Sequence, residues 1–146
     1  MNSEFTIAIH SLTLLAYRPD HMATSDVIAS NVCTHPARVR KVMSRLRSAG
    51  YIQAKEGAGG GFMLAAEPSS IKLGDIFRLM ASGSLKPGWC SGDPDQPCAV
   101  ASNITGVMED IFNGAENVLI EYFQQLTVAD LLDRIRQQHL SRSNPV

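Results

Sequence analysis

The sequence predicts a mainly α-helical fold with one small β-hairpin, organised as a winged helix-turn-helix domain followed by a long C-terminal dimerisation helix. Three observations predict it. Apolar residues recur at three- and four-residue spacings through most of the chain. Two short helical segments meet across a turn of about three residues, the second of them basic. Two strand-like runs flank the glycine-rich stretch Glu56 to Gly61, where glycine takes positive φ without strain.

The elements follow in order. Phe5, Ala8, Ile9, Leu12, Leu15 and Ala16 define an amphipathic helix over residues 4–17, with Ser3 as its expected cap and Arg18-Pro19-Asp20 as its end. Thr24 is the expected N-cap of a second helix, with Asp26 in its first turn and Val27, Ile28 and Val32 facing inward. That helix stops near Cys33, which is read as a core residue. Pro36 suits the first position of a third helix that runs to Ala49, with Gly50 as its left-handed cap. Residues 51–55 and 62–65 form the strands of a wing. A fourth helix follows Ser69-Ser70, with Leu73, Ile76, Phe77 and Met80 on one face and Gly83 at its end.

Residues 84–97 hold three prolines and two glycines and form a loop. Pro97 opens a long helix whose apolar stripe runs from Val100 to Leu126, a span of roughly 40 Å at about 1.5 Å per residue. A helix so long cannot bury itself against a domain this small, and a second copy of the chain is its expected cover. Thr127 begins a last helix, with Leu131, Leu132 and Ile135 packing back and the tail SRSNPV frayed. The expected organisation is a DNA-binding domain over 1–83, a connecting or sensor loop over 84–97, and dimerisation and C-terminal helices over 98–146.

Of the 146 residues 45% are hydrophobic and 18% charged, with a formal charge of −1, which excludes a disordered chain. No apolar run is long enough to span a membrane. The start MNSEFTIAIH lacks the pattern of a secretory signal, and three cysteines do not make a disulfide scaffold, so a cytoplasmic location is expected. The near-neutral total hides an asymmetry of +3 over residues 1–66 and −4 over 67–146. Five bases, Arg38, Arg40, Lys41, Arg45 and Arg47, fall within ten positions without one acid. A local basic patch on a neutral chain points to one face that binds a polyanion.

On a helical wheel Val39, Val42, Met43 and Leu46 face the core, while Ala37, Lys41, Ser44, Arg45 and Ser48 face away and Arg38, Arg40 and Arg47 sit on the shoulders. Such a face suits a helix lying in the major groove of duplex DNA, where His35, Arg38 and Lys41 reach base edges and Arg45 and Arg47 meet phosphates. The glycines of the wing carry no nucleotide-binding motif, and a hairpin tip pressed against a DNA strand explains them, with Lys55 as its cation. No nucleophile, base and orienting group occur together, so no enzymatic activity is expected. His10 and His139 read as structural or solvated, and Glu109, Asp110, Glu116 and Glu121 as solubilising charge. Trp89, beside Cys90, either anchors the loop or lines a small-molecule pocket.

The run VRKVMSRLRSAGYIQAKEGAGGGFML (39–64), followed by Ile71-Lys72-Leu73-Gly74-Asp75-Ile76, resembles the Rrf2 family of bacterial winged-helix transcription regulators, the group of IscR, NsrR and CymR. The similarity extends from about residue 3 to residue 135. It implies a homodimer whose recognition helices enter adjacent major grooves of double-stranded DNA while the wings touch the minor groove. Carried over, the recognition elements are Thr34, His35, Pro36, Arg38 and Lys41, with the wing at Lys55 to Gly60; Arg40 and Arg45 of the basic helix, with Gly59 and Gly60 at the wing tip, complete the expected DNA-binding set. Where many members have arginine before the wing glycine this chain has Glu56, a carboxylate that repels phosphate.

Members with a [2Fe-2S] cluster have three closely spaced cysteines before the long helix. This chain has Cys90 and Cys98, and the third position falls near Ile104, so no cofactor is expected. The segment Cys98 to Ile104 resembles the cluster-lacking, YwnA-like branch. Cys98 at a helix start favours thiolate, against which Asp93 and Asp95 act. Two readings stand: a redox switch with Cys90 as resolving partner, or a small apolar residue capping the dimer core. The expected function is a DNA-binding regulator, a repressor, answering an oxidant or small-molecule effector. The alternative is an interaction module that regulates a partner protein.

Overall fold

The computed structural model describes residues 2–143. Six α-helices and a three-stranded antiparallel sheet follow the order α1 (Ser3–Tyr17), β1 (Met22–Ala23), α2 (Ser25–Val32), α3 (Pro36–Ser48), β2 (Ile52–Lys55), β3 (Gly61–Leu64), α4 (Leu73–Ala81), α5 (Ala99–Gln124) and α6 (Val128–Ser143). A short 3-10 turn, Pro68–Ser70, precedes α4.

The core collects one stripe from each of α1 to α4. Leu12, Leu15, Ile28, Val39, Val42, Met43, Leu46, Ile76 and Phe77 are essentially inaccessible to solvent. Phe5, Phe77 and Phe123 form an aromatic trio with ring centroids 5.3 to 5.7 Å apart, tying α1 and α4 to the end of α5 at favourable aromatic separations. The start of α6 closes the same core through Val128 and Leu132. It is held to the start of α4 by Leu73 N–H donating to the Leu126 carbonyl and Val128 N–H to the Ile71 carbonyl. Thr127 and Asp130 cap α6 reciprocally: Asp130 Oδ2 accepts from the Thr127 amide at 2.8 Å, and Thr127 Oγ1 accepts from the Asp130 amide at 3.2 Å. The Thr127 amide and the Thr127 hydroxyl, which also donates to Asp130 Oδ2 at 2.9 Å, hold the Asp130 carboxyl below its ordinary pKa.

Several expectations need correction. Asn2, not Ser3, caps α1, because its side-chain oxygen accepts the Glu4 amide at 2.7 Å while its amide donates to the Met80 carbonyl. Val27 points to solvent, since the short α2 turns only Ile28 and Ala29 fully inward. Cys33 is exposed, in the left-handed conformation that ends α2. Ile135 is exposed because only the first turns of α6 meet the core. The segment Ser141–Ser143 is still helical, and 144–146 lie outside the described residues.

The hairpin gains a third strand, the two-residue β1, which pairs with β3 through Met22 with Met63 and Ala23 with Phe62. Gly61 permits that approach: its φ is 147°, and a Cβ there would stand 2.6 Å from the Ala23 carbonyl oxygen. Strand β2 pairs with the other edge of β3, from Ile52 with Leu64 to Lys55 with Gly61, so the wing is rooted in the domain instead of standing free.

The predicted long helix is present over 26 residues, about 39 Å at ~1.5 Å per residue. Its apolar stripe divides in two. Leu119, Ile120 and Phe123 turn to their own core. Val100, Val107, Ile111, Val118 and Tyr122 stay exposed, and with half-buried Ile104 they repeat at spacings of three, four and seven.

Candidate nucleic-acid interface

Helix α3 begins at a built N-terminus. Pro36 is its first residue, and His35 is the cap, its Nδ1 accepting the Ala37 amide at 3.1 Å. That bond places the imidazole proton on Nε2, so exposed His35 presents a ring donor at the start of the helix. Thr34 lies half-buried beside it and accepts from Arg38 at 3.4 Å. The turn from α2 is fixed by Thr34 N–H donating to the Ala29 carbonyl, so α2 sets the angle at which α3 leaves the surface.

The five bases of α3 divide into two kinds. Arg45 was expected to face outward, yet its side chain is half-buried, pairing with Glu4 at 2.8 Å and donating to the Leu79 carbonyl. Lys41 pairs with the other oxygen of Glu4 at 2.6 Å while remaining exposed. Arg38 reaches back to Ser3 Oγ at 2.7 Å. The Lys41 hydrogen bond, together with the charges of Lys41 and Arg45, holds the Glu4 carboxyl below its ordinary value against a smaller opposing effect of burial. Arg40 and Arg47 make no ion pair among the described residues, and they lie one heptad apart with exposed Ala37 and Ser44 in the same row. The open cationic strip therefore runs Ala37, Arg40, Lys41, Ser44, Arg47.

Glu4 is the residue that sequence reasoning missed. It lies 37 and 41 positions before its two partners, and no local pattern links a carboxylate in α1 to cations in α3.

On the wing, Lys55 and Glu56 are exposed at the end of β2. Gly59 has φ 74°, and the Gly60 amide closes the tip by donating to the Gly57 carbonyl at 3.0 Å. A Cβ on Gly60 would fall 2.3 Å from the Lys55 carbonyl oxygen, so the tip accepts no side chain there without opening.

The loop after α4 folds onto the first turns of α5. Thr105 Oγ1 donates to the Ser91 carbonyl at 2.6 Å, and the Asp93 amide donates to the Ala101 carbonyl at 2.9 Å. Trp89 is 76% exposed and does not anchor the loop; with Cys90, Met108 and Phe112 it lines a cavity of about 340 Å3. Cys90 and Cys98 are both exposed. The Ala101 and Val100 amides at the start of α5 lower the Cys98 thiol below its ordinary pKa, with slight opposition from burial. Glu116, expected as plain surface charge, accepts the Gly83 amide at 2.7 Å and staples the end of α4 to α5. Among the described residues no helix is long and apolar enough to cross a membrane.

The family described as iron-dependent transcriptional regulator, Rrf2, matches residues 1–134. YwnA of Bacillus subtilis (strain 168) is 24% identical over 135 residues, covering 92% of this chain and 98% of that protein. A solved structure from Lactobacillus plantarum superposes with a TM-score of 0.81 at 25% identity, over 99% of this chain and all of the other. CymR, the global cysteine regulator of B. subtilis, superposes at 0.65 with 21% identity over 92% and 96%, a likeness of fold. The family description names iron, but among the described residues no three His, Cys, Asp or Glu side chains converge on a common point. The thiols of Cys90 and Cys98 do not fit the usual four-ligand set of a cluster within one chain. On the match over nearly its whole length and on the shared fold, the chain belongs to the Rrf2 family of transcriptional regulators, which are not enzymes.

Proposed function

We propose that the chain acts in the cytoplasm as a homodimeric, sequence-specific repressor, with α3 lying in the major groove of operator DNA. The observation that carries this reading is the strip Ala37, Arg40, Lys41, Ser44, Arg47: exposed, cationic, with no acid of its own and only Lys41 paired, to Glu4 of α1, and interleaved with small side chains that allow close approach. Thr34, His35 and Arg38 stand at the entering end of the helix, behind Pro36. Lys55 and the backbone of Gly59 and Gly60 meet the neighbouring minor groove, and Arg45 supports the helix from behind. The apolar row Val100, Val107, Ile111, Val118, Tyr122 pairs with its copy, with Gly114 at the vacant step of the repeat leaving room for close crossing.

Gel-shift titration on DNA from upstream of its own gene tests the reading. Binding should be tight, should exceed that to scrambled DNA, and should fall steeply as salt is raised. No shift on any upstream fragment would sink it in favour of a winged helix that binds a partner protein.

The effector side of the proposal is oxidation at Cys98. Its thiolate attacks a peroxide oxygen, forming an S–O bond as the O–O bond breaks and hydroxide leaves. The Cys90 thiolate then attacks that sulfur, forming a disulfide and releasing the oxygen as water after protonation. The exposure of both thiols and the lowered Cys98 pKa support this assignment. Peroxide should alter operator affinity in the native chain and leave Cys98→Ser unaffected. An equal response of both proteins removes Cys98 from the sensor role.

A further inference from the structure

A cavity of about 610 Å3 lies between α1, the end of α2 and the outer half of α6, within the size range of sites for small organic ligands. Its walls are mostly apolar: Leu14 and Leu132 form part of the base, and Leu140, 64% exposed, stands at the rim. Its ionisable lining side chains are His10, Tyr17, Arg136 and His139, and among the described residues that line it none is acidic. Asp133 is the carboxylate nearest in sequence on α6; it meets Arg136 at 4.0 Å on the exposed helix surface.

We infer that this cavity is a binding site for a small amphipathic anion, an apolar body carrying one carboxylate, held by Arg136 and His139. The apolar walls take the body, and the basic rim with no acid of its own selects the sign of the head group. Arg136 is exposed at the open side of the cavity, where its planar guanidinium can meet a carboxylate through two parallel hydrogen bonds. Neither the wing nor the cysteine loop contributes to this site.

The site also touches the machinery of α3. His10 Nε2 on α1 donates to Asn31 Oδ1 on α2 at 2.7 Å, and both residues line the cavity. A bound carboxylate competes with Asn31 for that ring proton, and α2 is the helix that orients α3 through the Thr34 amide. The regulatory consequence, a change in operator affinity on ligand binding, rests on the DNA-binding reading; the site itself does not.

The test is calorimetric titration of the full chain with decanoate below its micelle concentration, beside decanol and decyltrimethylammonium. Decanoate should bind at least about tenfold more tightly than either, the effect of one charge-assisted interaction. Arg136→Gln with His139→Asn, both surface substitutions, should remove at least about tenfold of that affinity with the melting temperature unchanged. Equal binding of all three probes would overturn the inference and show a nonspecific apolar surface. Absence of decanoate binding, or loss of dimer in the double variant, would also overturn it, the latter assigning the groove to a second copy. A gel shift without ligand reads the DNA-binding reading separately, so the two failures are distinguishable.

Discussion

The segment from α1 to α4 and the helix α5 solve opposite problems with similar side chains. Of the 23 buried hydrophobic residues among those described, 20 lie between Phe5 and Ala81, and α5 supplies one, Ile120, from its 26 residues. The first segment closes its own core within one chain. The second leaves a row of valine, isoleucine and tyrosine in water, although burying each such side chain is worth about 1.5–3 kcal/mol. A complete core needs no partner, whereas an unfinished one leaves a surface for one; a similar division recurs on α3, where among the described residues Arg38, Arg40 and Arg47 remain outside the ion pairs that Lys41 and Arg45 make with Glu4.

The sharpest way to break this comparison is to charge the open row. Ile111→Asp should convert the proposed dimer to a folded monomer by sedimentation and reduce operator affinity by at least about a hundredfold, because one half-site then binds alone. An unchanged mass would show that the row is not the interface. Next in size is the contrast between two arginines of α3. Arg40→Ala should cost about 1–3 kcal/mol of operator binding with little change in stability. Arg45→Ala should cost stability, measured by urea unfolding, because it leaves the Leu79 carbonyl without its donor and Glu4 with Lys41 alone. Equal effects of the two on DNA binding would erase the distinction between an open and a supporting cation.

The smallest effect concerns Glu4. Its carboxyl titrates lower in the folded chain than in the unfolded one, so its stabilising contribution is complete above the unfolded value near pH 4.5 and is lost as pH falls through the folded value. Glu4→Gln should therefore lower stability by less than about 1 kcal/mol at neutral pH, because both cationic partners are substantially exposed, and by nothing once both proteins are below that range. The same substitution frees Lys41 and should raise affinity for nonspecific DNA. A stability difference that persists undiminished in acid would mean that the ion pairs are not its source.

The outline of the fold was legible in the sequence because each helix carries its own periodicity and punctuation: Thr24 before α2, Pro36 at the start of α3, Gly50 after it, the glycine tip between β2 and β3. The inward side of α3 was legible for the same reason. Strand β1 was not, since two residues carry no alternation and exist as a strand only because β3 offers an edge and Gly61 clears the way. Nor was the exposure of Trp89, whose bulk argued for an anchor.

The amino-acid order by itself therefore determined the helices, the caps at Thr24 and Gly50, the two-stranded hairpin and the cationic character of α3, all of which depend on neighbours within a turn or two. Tertiary structure alone decided which bases stay open: Glu4 meets Lys41 and Arg45 across more than 35 positions, and that distance is closed only when α1 packs against α3. It also decided which half of the α5 stripe faces inward, because a helix with apolar residues on two sides takes its orientation from the core it docks against.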